Sequence, residues 1–282
     1  MSMPFYISPE QTMRDKADYA RKGVARSRSS VALQYADGIL LVTPNVSSVL
    51  HKISEIYDRI AFAAVGRYNE YEVLRKAGVT YADVTGYQFD RGDVTARGLA
   101  NWYAQALGTN FSEPAGKPYE VEIVVAEVGL KPDGDQIYRI SWDGSVSDEP
   151  GFVAFGGQAD QVTTALKERF SDGMSLTEAL GAALAALAAP ASASASGSSS
   201  PASNGAQLEL TAANLEVAIL DRARAHRTFR RLAGTRLEEL IAESRATEAI
   251  EVTETAEAAD EPAPPSDEPP TGPSSVGDGI PK

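Results

Sequence analysis

The strand expected at residues 60–65 constrains the fold of this chain more than any other segment. It reads Ile-Ala-Phe-Ala-Ala-Val and places apolar side chains on both sides of the pleat. A strand of this kind lies inside a sheet that is covered on both faces. Gly66 ends it, and a turn at residues 57–59 joins it to an alternating strand at residues 51–57. We therefore expect several packed layers.

A hairpin precedes this pair of strands. Residues 30–35 and 39–42 are rich in strand-forming side chains, and they flank Ala36-Asp37-Gly38. Asp-Gly between two such runs is a strong hairpin signal. Later strands are expected at residues 119–128, 136–142, 152–155, 215–220 and 228–232.

Helical patterns alternate with the strands. Residues 68–76 are expected to form a helix that ends near Gly78, and Asp93 is expected to cap a longer helix with a broad apolar stripe that includes Trp102. Further helices are expected at residues 160–170, 175–188 and 235–243. Pairs of helices after antiparallel hairpins predict the α+β class, as a four-layer αββα sandwich with two facing sheets and helices on both outer faces.

A helix with clear start and stop signals precedes the first strand. These signals are an N-cap serine, a proline at the first helical position, a glutamine that completes a capping box and a glycine just past the end: Ser8, Pro9, Gln11 and Gly23. The apolar stripe made by Met13, Ala17 and Ala20 is too thin for a core helix. We expect this helix to rest on a surface or on a neighbouring subunit.

Composition limits the class of protein and its partners. The 282 residues are 43 % hydrophobic, which suffices for one sizeable core. The absence of cysteine excludes disulfides and thiolate sites and favours a cytoplasmic location, and the N-terminus lacks the features of a signal peptide. The apolar run at residues 180–189 is too short to span a bilayer, so no membrane partner is expected.

Charge and low complexity divide the chain. Residues 246–282 carry −8 of the formal charge of −13, so the remainder is only mildly acidic and no nucleic-acid partner is expected. Composition predicts a disordered Ala/Ser linker at residues 189–206 and a disordered acidic tail at residues 246–282. Residues 8–245 then form the folded domain, preceded by a separate segment at residues 1–7.

Catalytic signals are sparse. The two histidines, His51 and His226, have no partner at a metal-ligand spacing, so neither a metal site nor a cofactor is predicted. No Gly-x-Ser-x-Gly elbow or phosphate loop occurs, and Gly156-Gly157 is better explained as a strand-to-helix turn. The arginines between residues 222 and 231 are interpreted as a solvated or subunit-facing strand.

Several short motifs are specific when they are taken together. They are SP at 8–9, YARKG at 19–23, SVALQYADGILLV at 30–42, KISEIYD at 52–58 and FAAVG at 62–66. In these motifs the chain resembles the α-type subunits of the core proteasome. The motifs FYISPEQ at 5–11, DRGDVT at 90–95 and KPYEVE at 117–122 place the resemblance closest to the actinobacterial α subunit. The likeness covers about residues 2–245 and leaves out the linker and the tail.

The resemblance implies a fold and an assembly. The fold is the αββα sandwich of the N-terminal-nucleophile hydrolases, and the assembly is a heptameric α ring at each end of two β rings, with proteolysis confined to the β subunits. A hydrolase of this class needs a free amino group on its nucleophilic residue. Here the β-subunit start falls near Arg28 and Ser29, behind the first helix, which implies a non-catalytic subunit.

Two alternatives remain open. The first is that the chain is itself a hydrolase, in which cleavage between Arg28 and Ser29 exposes Ser29 as the nucleophile. The second is a scaffold that assembles rings without gating them.

Gating is the first role that the resemblance implies. A ring gathers seven copies of residues 1–7 around its axis, where Phe5 and Tyr6 pack as a plug. Pro9 and Tyr19 match family positions that steady the opened gate. The Tyr-Asp-Arg motif of archaeal gates is absent, so other contacts must hold the open state. The implied gate residues are Met3, Phe5, Tyr6, Ile7, Ser8, Pro9 and Tyr19.

Docking is the second implied role. Lys52 matches the lysine that lines the pocket between neighbouring α subunits, where the C-terminal carboxylate of an activator binds, and an ammonium suits such a carboxylate. The alternative is an ordinary exposed strand lysine. Gly66 either lets the backbone of the activator approach closely or simply ends its strand. The implied partners are the β subunits, other α subunits and a hexameric AAA-family ATPase that unfolds substrates tagged with the prokaryotic ubiquitin-like protein.

Overall fold

The computed structural model describes residues 8–114, 116–195 and 210–259. The strands are β1 (Ser30–Tyr35), β2 (Gly38–Pro44), β3 (Ile53–Tyr57), β4 (Ile60–Gly66), β5 (Val121–Glu127), β6 (Gln136–Ile140), β7 (Val146–Asp148), β8 (Phe152–Phe155), β9 (Leu215–Asp221) and β10 (Phe229–Leu232). The helices are α1 (Pro9–Ala25), α2 (Tyr68–Gln88), α3 (Ala96–Ser112), α4 (Ala159–Arg169), α5 (Leu176–Ala195) and α6 (Thr235–Ala259).

The described strands form two antiparallel sheets of five strands each. The order is β10-β9-β2-β1-β8 in the first sheet and β3-β4-β5-β6-β7 in the second. In the hairpin of the first sheet Tyr35 pairs with Gly38, as the Asp-Gly turn predicts. The predicted strands are confirmed with small shifts at their ends. The sequence missed only the short exposed edge strand β7.

Three apolar clusters among the described residues define the layers. One joins the outer face of the first sheet to α4, α5 and α6, with Leu33, Leu180 and Leu240 among its members. A second lies between the facing sheets and contains Leu41 and Val124. The third joins the second sheet to α2 and α3. The resulting order of helices, sheet, sheet, helices confirms the predicted four-layer αββα sandwich.

Strand β4 shows why a segment with no polar face belongs in the centre. Phe62 and Ala64 belong to the cluster that packs on α2 and α3. Ala61, Ala63 and Val65 alternate with them and face the other sheet. Each face of the strand therefore meets its own apolar layer, as its sequence predicts.

The end of α2 and the start of α3 differ from the prediction. Helix α2 does not end near Gly78 but continues to Gln88. Gly78 lies inside it because α3 approaches closely: a Cβ at this position would lie 1.8 Å from the hydroxyl oxygen of Tyr103. Helix α3 is capped by Thr95, whose hydroxyl accepts a hydrogen bond from the Gly98 N–H at 3.1 Å. Asp93 instead belongs to a short 3-10 turn that precedes this helix.

Helix α1 begins as predicted but ends later. The Ser8 hydroxyl accepts a hydrogen bond from the Gln11 N–H at 3.2 Å. The Gln11 side-chain amide donates to Asp15 at 2.7 Å, so the described residues show only the Ser8 half of the predicted capping box. The helix also continues past Gly23 to Ala25. Gly23 faces Glu120, since a Cβ there would lie 2.3 Å from the carboxylate, which explains the glycine as a packing position rather than a stop signal.

The buried face of α1 agrees with the predicted stripe only at Ala20. Met13 is exposed, whereas Lys16, Ala20 and Val24 are buried. The Lys16 ammonium donates a hydrogen bond at 3.2 Å to the carbonyl oxygen of Phe111, in the last turn of α3. A cation is stabilised at this position because the last carbonyl groups of a helix lack partners within the helix.

Helices α5 and α6 extend into segments that were expected to be disordered. Helix α5 continues past residue 188 to Ala195, into the predicted linker, and α6 continues past residue 245 to Ala259, into the predicted tail. The remainder of the linker and of the tail lies outside the described residues, as do residues 1–7.

Candidate functional site

Lys52 lies just before β3 and not within a strand, which corrects its predicted place. Its side chain is half-buried, and the ammonium donates a hydrogen bond at 2.9 Å to the carbonyl oxygen of Pro44. Burial lowers the pKa of Lys52, because it penalises the charged form, and the charge of Glu216 opposes this shift. The alternative of an ordinary exposed lysine does not describe this side chain.

Glu216, on β9, was missed by the sequence analysis. It is 6 % exposed, and its carboxylate accepts hydrogen bonds from the N–H groups of Lys52 at 2.9 Å and Ile53 at 3.2 Å. It also forms an ion pair with Arg231 and lies 3.3 Å from Nδ1 of His51. The sequence does carry a signal for it, a single acid within the apolar run Leu-Glu-Val-Ala-Ile-Leu. A carboxylate in such a buried strand needs several hydrogen-bond or charged partners.

The loop between β2 and β3 is ordered by its own polar side chains. Asn45 donates through its side-chain amide to Glu216 and to the Leu50 carbonyl, both at 2.8 Å. The loop nevertheless exposes large apolar side chains, with Val46 at 73 % and Val49 at 76 %. Beside it lies a cavity of about 390 Å³ that is lined by Asn45, Ser47, Ser48, His51, Ala212, Ala213, Leu215, Glu216, Val217, Arg231, Leu232 and Ala233.

Gly66 ends β4 at a position that requires glycine. Its φ is +107°, and a Cβ would lie 2.0 Å from the carbonyl oxygen of Glu120. The Lys52 carbonyl accepts a hydrogen bond from the Ala64 N–H at 3.0 Å, so Lys52 lies near the Gly66 end of β4. The structure therefore brings the two predicted docking residues to one end of the second sheet.

The described gate residues all belong to α1. Ser8 caps the helix, Pro9 occupies its first position, and Tyr19 is 46 % exposed with the Lys117 ammonium 5.6 Å from its ring centroid. Pro9 and Tyr19 are about 15 Å apart along the helix axis, so the structure does not bring them together. The other predicted gate residues lie outside the described residues: Met3, Phe5, Tyr6 and Ile7.

A charged cluster connects α1 with the Gly66 end. The buried carboxylate of Glu120 pairs with Lys117 at 2.8 Å and with Arg67 at 3.2 Å. The Glu120 N–H donates to Glu70 on α2 at 2.7 Å. Burial alone would raise the pKa of Glu120, but the hydrogen bond and charge of Lys117 outweigh it and hold that pKa below its ordinary value. The carboxylate therefore stays ionised beneath α1.

Ser29, the nucleophile of the alternative hypothesis, is buried immediately before β1. Its hydroxyl accepts a hydrogen bond from the Gln158 N–H at 3.0 Å. In this chain its nitrogen belongs to a peptide bond that follows α1, and an amide nitrogen cannot act as the base of an N-terminal nucleophile. In the uncleaved chain the Ser29 hydroxyl therefore joins the start of the first strand to the residue before α4.

The arginine-rich stretch corrects its interpretation as a solvated strand only in part, because the side chains of Arg222 and Arg231 are largely buried in ion pairs whereas those of Arg227 and Arg230 stay 74 % and 51 % exposed. Asp135, whose side chain is fully buried, accepts two hydrogen bonds from Arg222 at 2.7 and 2.8 Å. Arg227 pairs with Glu55 at 2.9 Å, and Arg230 and Arg231 also pair with acids of the chain. Gly156-Gly157 lies between β8 and α4, which confirms the predicted strand-to-helix turn.

Two facing antiparallel sheets between layers of helices define an α+β sandwich of the N-terminal-nucleophile hydrolase type. Across the ranges that the structure describes, no helix combines the length and the apolar character needed to cross a membrane.

Sequence comparisons identify the family within this class. A family model described as proteasome subunit matches residues 24–200. The proteasome subunit alpha of Thermomonospora curvata is 64 % identical over 243 residues, which cover 86 % of this chain and 99 % of that protein. That of Streptosporangium roseum is 61 % identical over 254 residues, which cover 90 % of this chain and 92 % of that protein. The chain belongs to the proteasome subunit family, among the α-type subunits of the core particle, as its motifs predict.

Proposed function

We propose that this chain is the non-catalytic α subunit of a cytoplasmic core proteasome. It forms heptameric end rings that gate the access of substrates to the β-subunit chamber. These rings also dock a hexameric AAA-family ATPase that delivers proteins tagged with the prokaryotic ubiquitin-like protein.

The observation that carries this proposal is the common position of Lys52 and Gly66. Within the described ranges the Lys52 ammonium donates to one carbonyl, that of Pro44, and since an ammonium has three protons, it can also donate to a ligand. A terminal carboxylate is the ligand that such a group suits best. The extended backbone of a docked peptide also fits beside a position that has no side chain.

The non-catalytic role is supported by the segment before β1. As long as helix α1 stays attached, the peptide bond before Ser29 leaves no free amine at the start of the first strand. The same helix leads from residues 1–7 to the sandwich, which suits a gate that is attached to a rigid base. The threonine-type proteolysis then belongs to the β subunits of the complex.

Replacement of Lys52 tests the docking role. In a particle assembled with its β subunits, Lys52→Ala is expected to reduce ATPase-stimulated degradation by about tenfold or more, since it removes a charge-assisted contact. Hydrolysis of short unstructured peptides by the particle alone is expected to stay unchanged. The two rates are measured on the same preparation.

Lys131→Ala is the matched control. Lys131 is exposed and follows β5 at the opposite end of the second sheet, beyond the residue that pairs with Ile60. It is expected to leave both rates unchanged. Equal loss of both rates in Lys52→Ala would indicate misassembly, and unchanged stimulation would contradict the docking role.

A further inference from the structure

We propose that Glu216 is a positioning residue for Lys52. Its carboxylate holds the end of the β2–β3 loop, so that the Lys52 ammonium is presented to a docking carboxylate. The proposal rests on the docking role proposed above for Lys52 and adds to it a residue in the other sheet. Glu216 touches no part of the partner itself and acts through Lys52.

The first argument is the geometry of the hydrogen bonds. One carboxylate binds the consecutive N–H groups of Lys52 and Ile53, at 2.9 and 3.2 Å. Two neighbouring N–H groups, each bound to its own oxygen of one carboxylate, fix the direction of that backbone segment. The Ile53 carbonyl, in turn, accepts a hydrogen bond from Arg231 at 2.8 Å. Lys52 therefore leaves β3 at a defined angle.

The second argument is that both ends of the loop are attached at the same place. Pro44, at the start of the loop, pairs with Leu215, the neighbour of Glu216 on β9. The Lys52 ammonium donates to the carbonyl of Pro44, and Asn45 donates to Glu216. The loop is thus closed over Glu216, and the hydrogen bond to Pro44 fixes where the Lys52 ammonium lies.

The third argument is electrostatic. The charged groups that act on Lys52 are Glu216 from β9 and Arg28 from the segment before β1. Glu216 itself faces Arg231 from β10 and His51 from the loop. Of the two groups that act on the ammonium, only Glu216 favours its charged form. Because burial lowers the pKa of Lys52 and Glu216 opposes that shift, removal of the carboxylate charge lowers this pKa further.

The test uses the particle assembled with β subunits and its ATPase ring. Glu216→Gln is expected to lower ATPase-stimulated degradation by about tenfold or more, the effect of one lost charge-assisted hydrogen bond. Hydrolysis of short peptides without the ATPase is expected to stay within about twofold of the wild-type rate. A twofold change corresponds to about 0.4 kcal/mol. The residual stimulation is followed as a function of pH.

The pH profile separates positioning from simple loss of stability. In Glu216→Gln the ammonium of Lys52 loses its proton at a lower pH, so the alkaline fall in stimulation moves to lower pH than in the wild type. Glu216→Asp keeps the charge but shortens its reach. It is expected to lower the stimulation and leave the alkaline fall in place. If Glu216→Gln does not assemble, Glu216→Asp alone decides the proposal by its loss of stimulation.

Asp135→Asn is the matched control, because Asp135 is another buried carboxylate paired with an arginine, at the other end of β9. It is expected to lower the unfolding temperature and to keep the stimulation. Wild-type stimulation in Glu216→Gln, or equal loss in Glu216→Gln and Asp135→Asn, would overturn the proposal. Normal stimulation in Lys52→Ala would instead contradict the docking role itself.

Discussion

Gly66 is the residue at which backbone geometry and the candidate site coincide. Two features exclude a side chain here. The φ of Gly66 is positive, and a Cβ would lie 2.0 Å from the carbonyl oxygen of Glu120. Gly66→Ala is therefore expected to cost more than about 3 kcal/mol of unfolding free energy, the sum of left-handed strain and overpacking. Denaturant unfolding of the purified chain measures it.

Gly173→Ala separates the two contributions. Gly173 has a φ of +79°, and no atom lies within 4 Å of the place of its Cβ. This variant is expected to lose only the strain of the left-handed conformation, about 1–2 kcal/mol. Equal losses in the two variants would show that the Glu120 carbonyl gives way and that space at Gly66 is not limiting.

Single residues of the site were only partly predictable. Lys52 was found through family motifs, because a lysine in an isolated sequence carries no sign of its partners. Glu216 was missed, since its hydrogen-bond donors Lys52 and Ile53 are more than 160 residues away and lie at the start of a strand in the other sheet. Gly66 was recognised as a strand end, but the approach of Glu120 that requires it is a property of the folded chain.

Among the elements, the pair α2 and α3 shows how packing overrides helix propensity. Gly78 stands in the middle of α2, where alanine would ordinarily stabilise a helix by about 1 kcal/mol. Here the fully buried Tyr103 occupies the space that an alanine methyl group would need. Gly78→Ala is expected to destabilise the chain by about 1–3 kcal/mol, because the helices must separate or Tyr103 must move. The measurement is the midpoint of denaturant unfolding.

Gly108→Ala tests the opposite sign in the neighbouring helix. Gly108 lies within α3, and the nearest atom to its missing Cβ is the Asp143 carbonyl oxygen, at an ordinary contact distance of 3.5 Å. This substitution is expected to raise the stability by up to about 1 kcal/mol. A stabilising Gly78→Ala would contradict the close packing of α2 on α3.

Elements were predictable where a local pattern decides them. The strands at residues 30–35 and 152–155 were placed correctly, because hydrophobic runs and turns mark them. The end of α2 was misplaced because Gly78 looks like a stop signal until the approach of Tyr103 is known. The end of α5 was misplaced because its Ala/Ser segment has the composition of a linker. Helix propagation from an established segment costs less than nucleation.

At the scale of the whole molecule, the leading segment is expected to act only in the assembled ring. Deletion of residues 1–7 is expected to raise the rate at which the particle hydrolyses short peptides without an activator, because it opens the path to the chamber. An unchanged rate in particles of normal size would contradict gating and leave ring assembly standing. The intact mass of the wild-type chain is the control, since loss of residues 1–28 would favour the hydrolase alternative.

The layer order of the whole molecule was predictable from one strand together with the alternation of hairpins and pairs of helices. The run at residues 60–65 has no polar face, so it requires an apolar layer packed on each side of its sheet. The polar contacts between the sheets were not predictable, because ion pairs such as that of Asp135 with Arg222 join residues distant in sequence.

These buried carboxylates have a mechanical consequence. The sheets meet through apolar side chains, and apolar contact has no preferred direction, so on its own it resists sliding only weakly. The contacts of Glu216 with β3 and of Arg222 with Asp135 are directional, and they lie at the two ends of β9. They therefore fix the lateral alignment of the sheets.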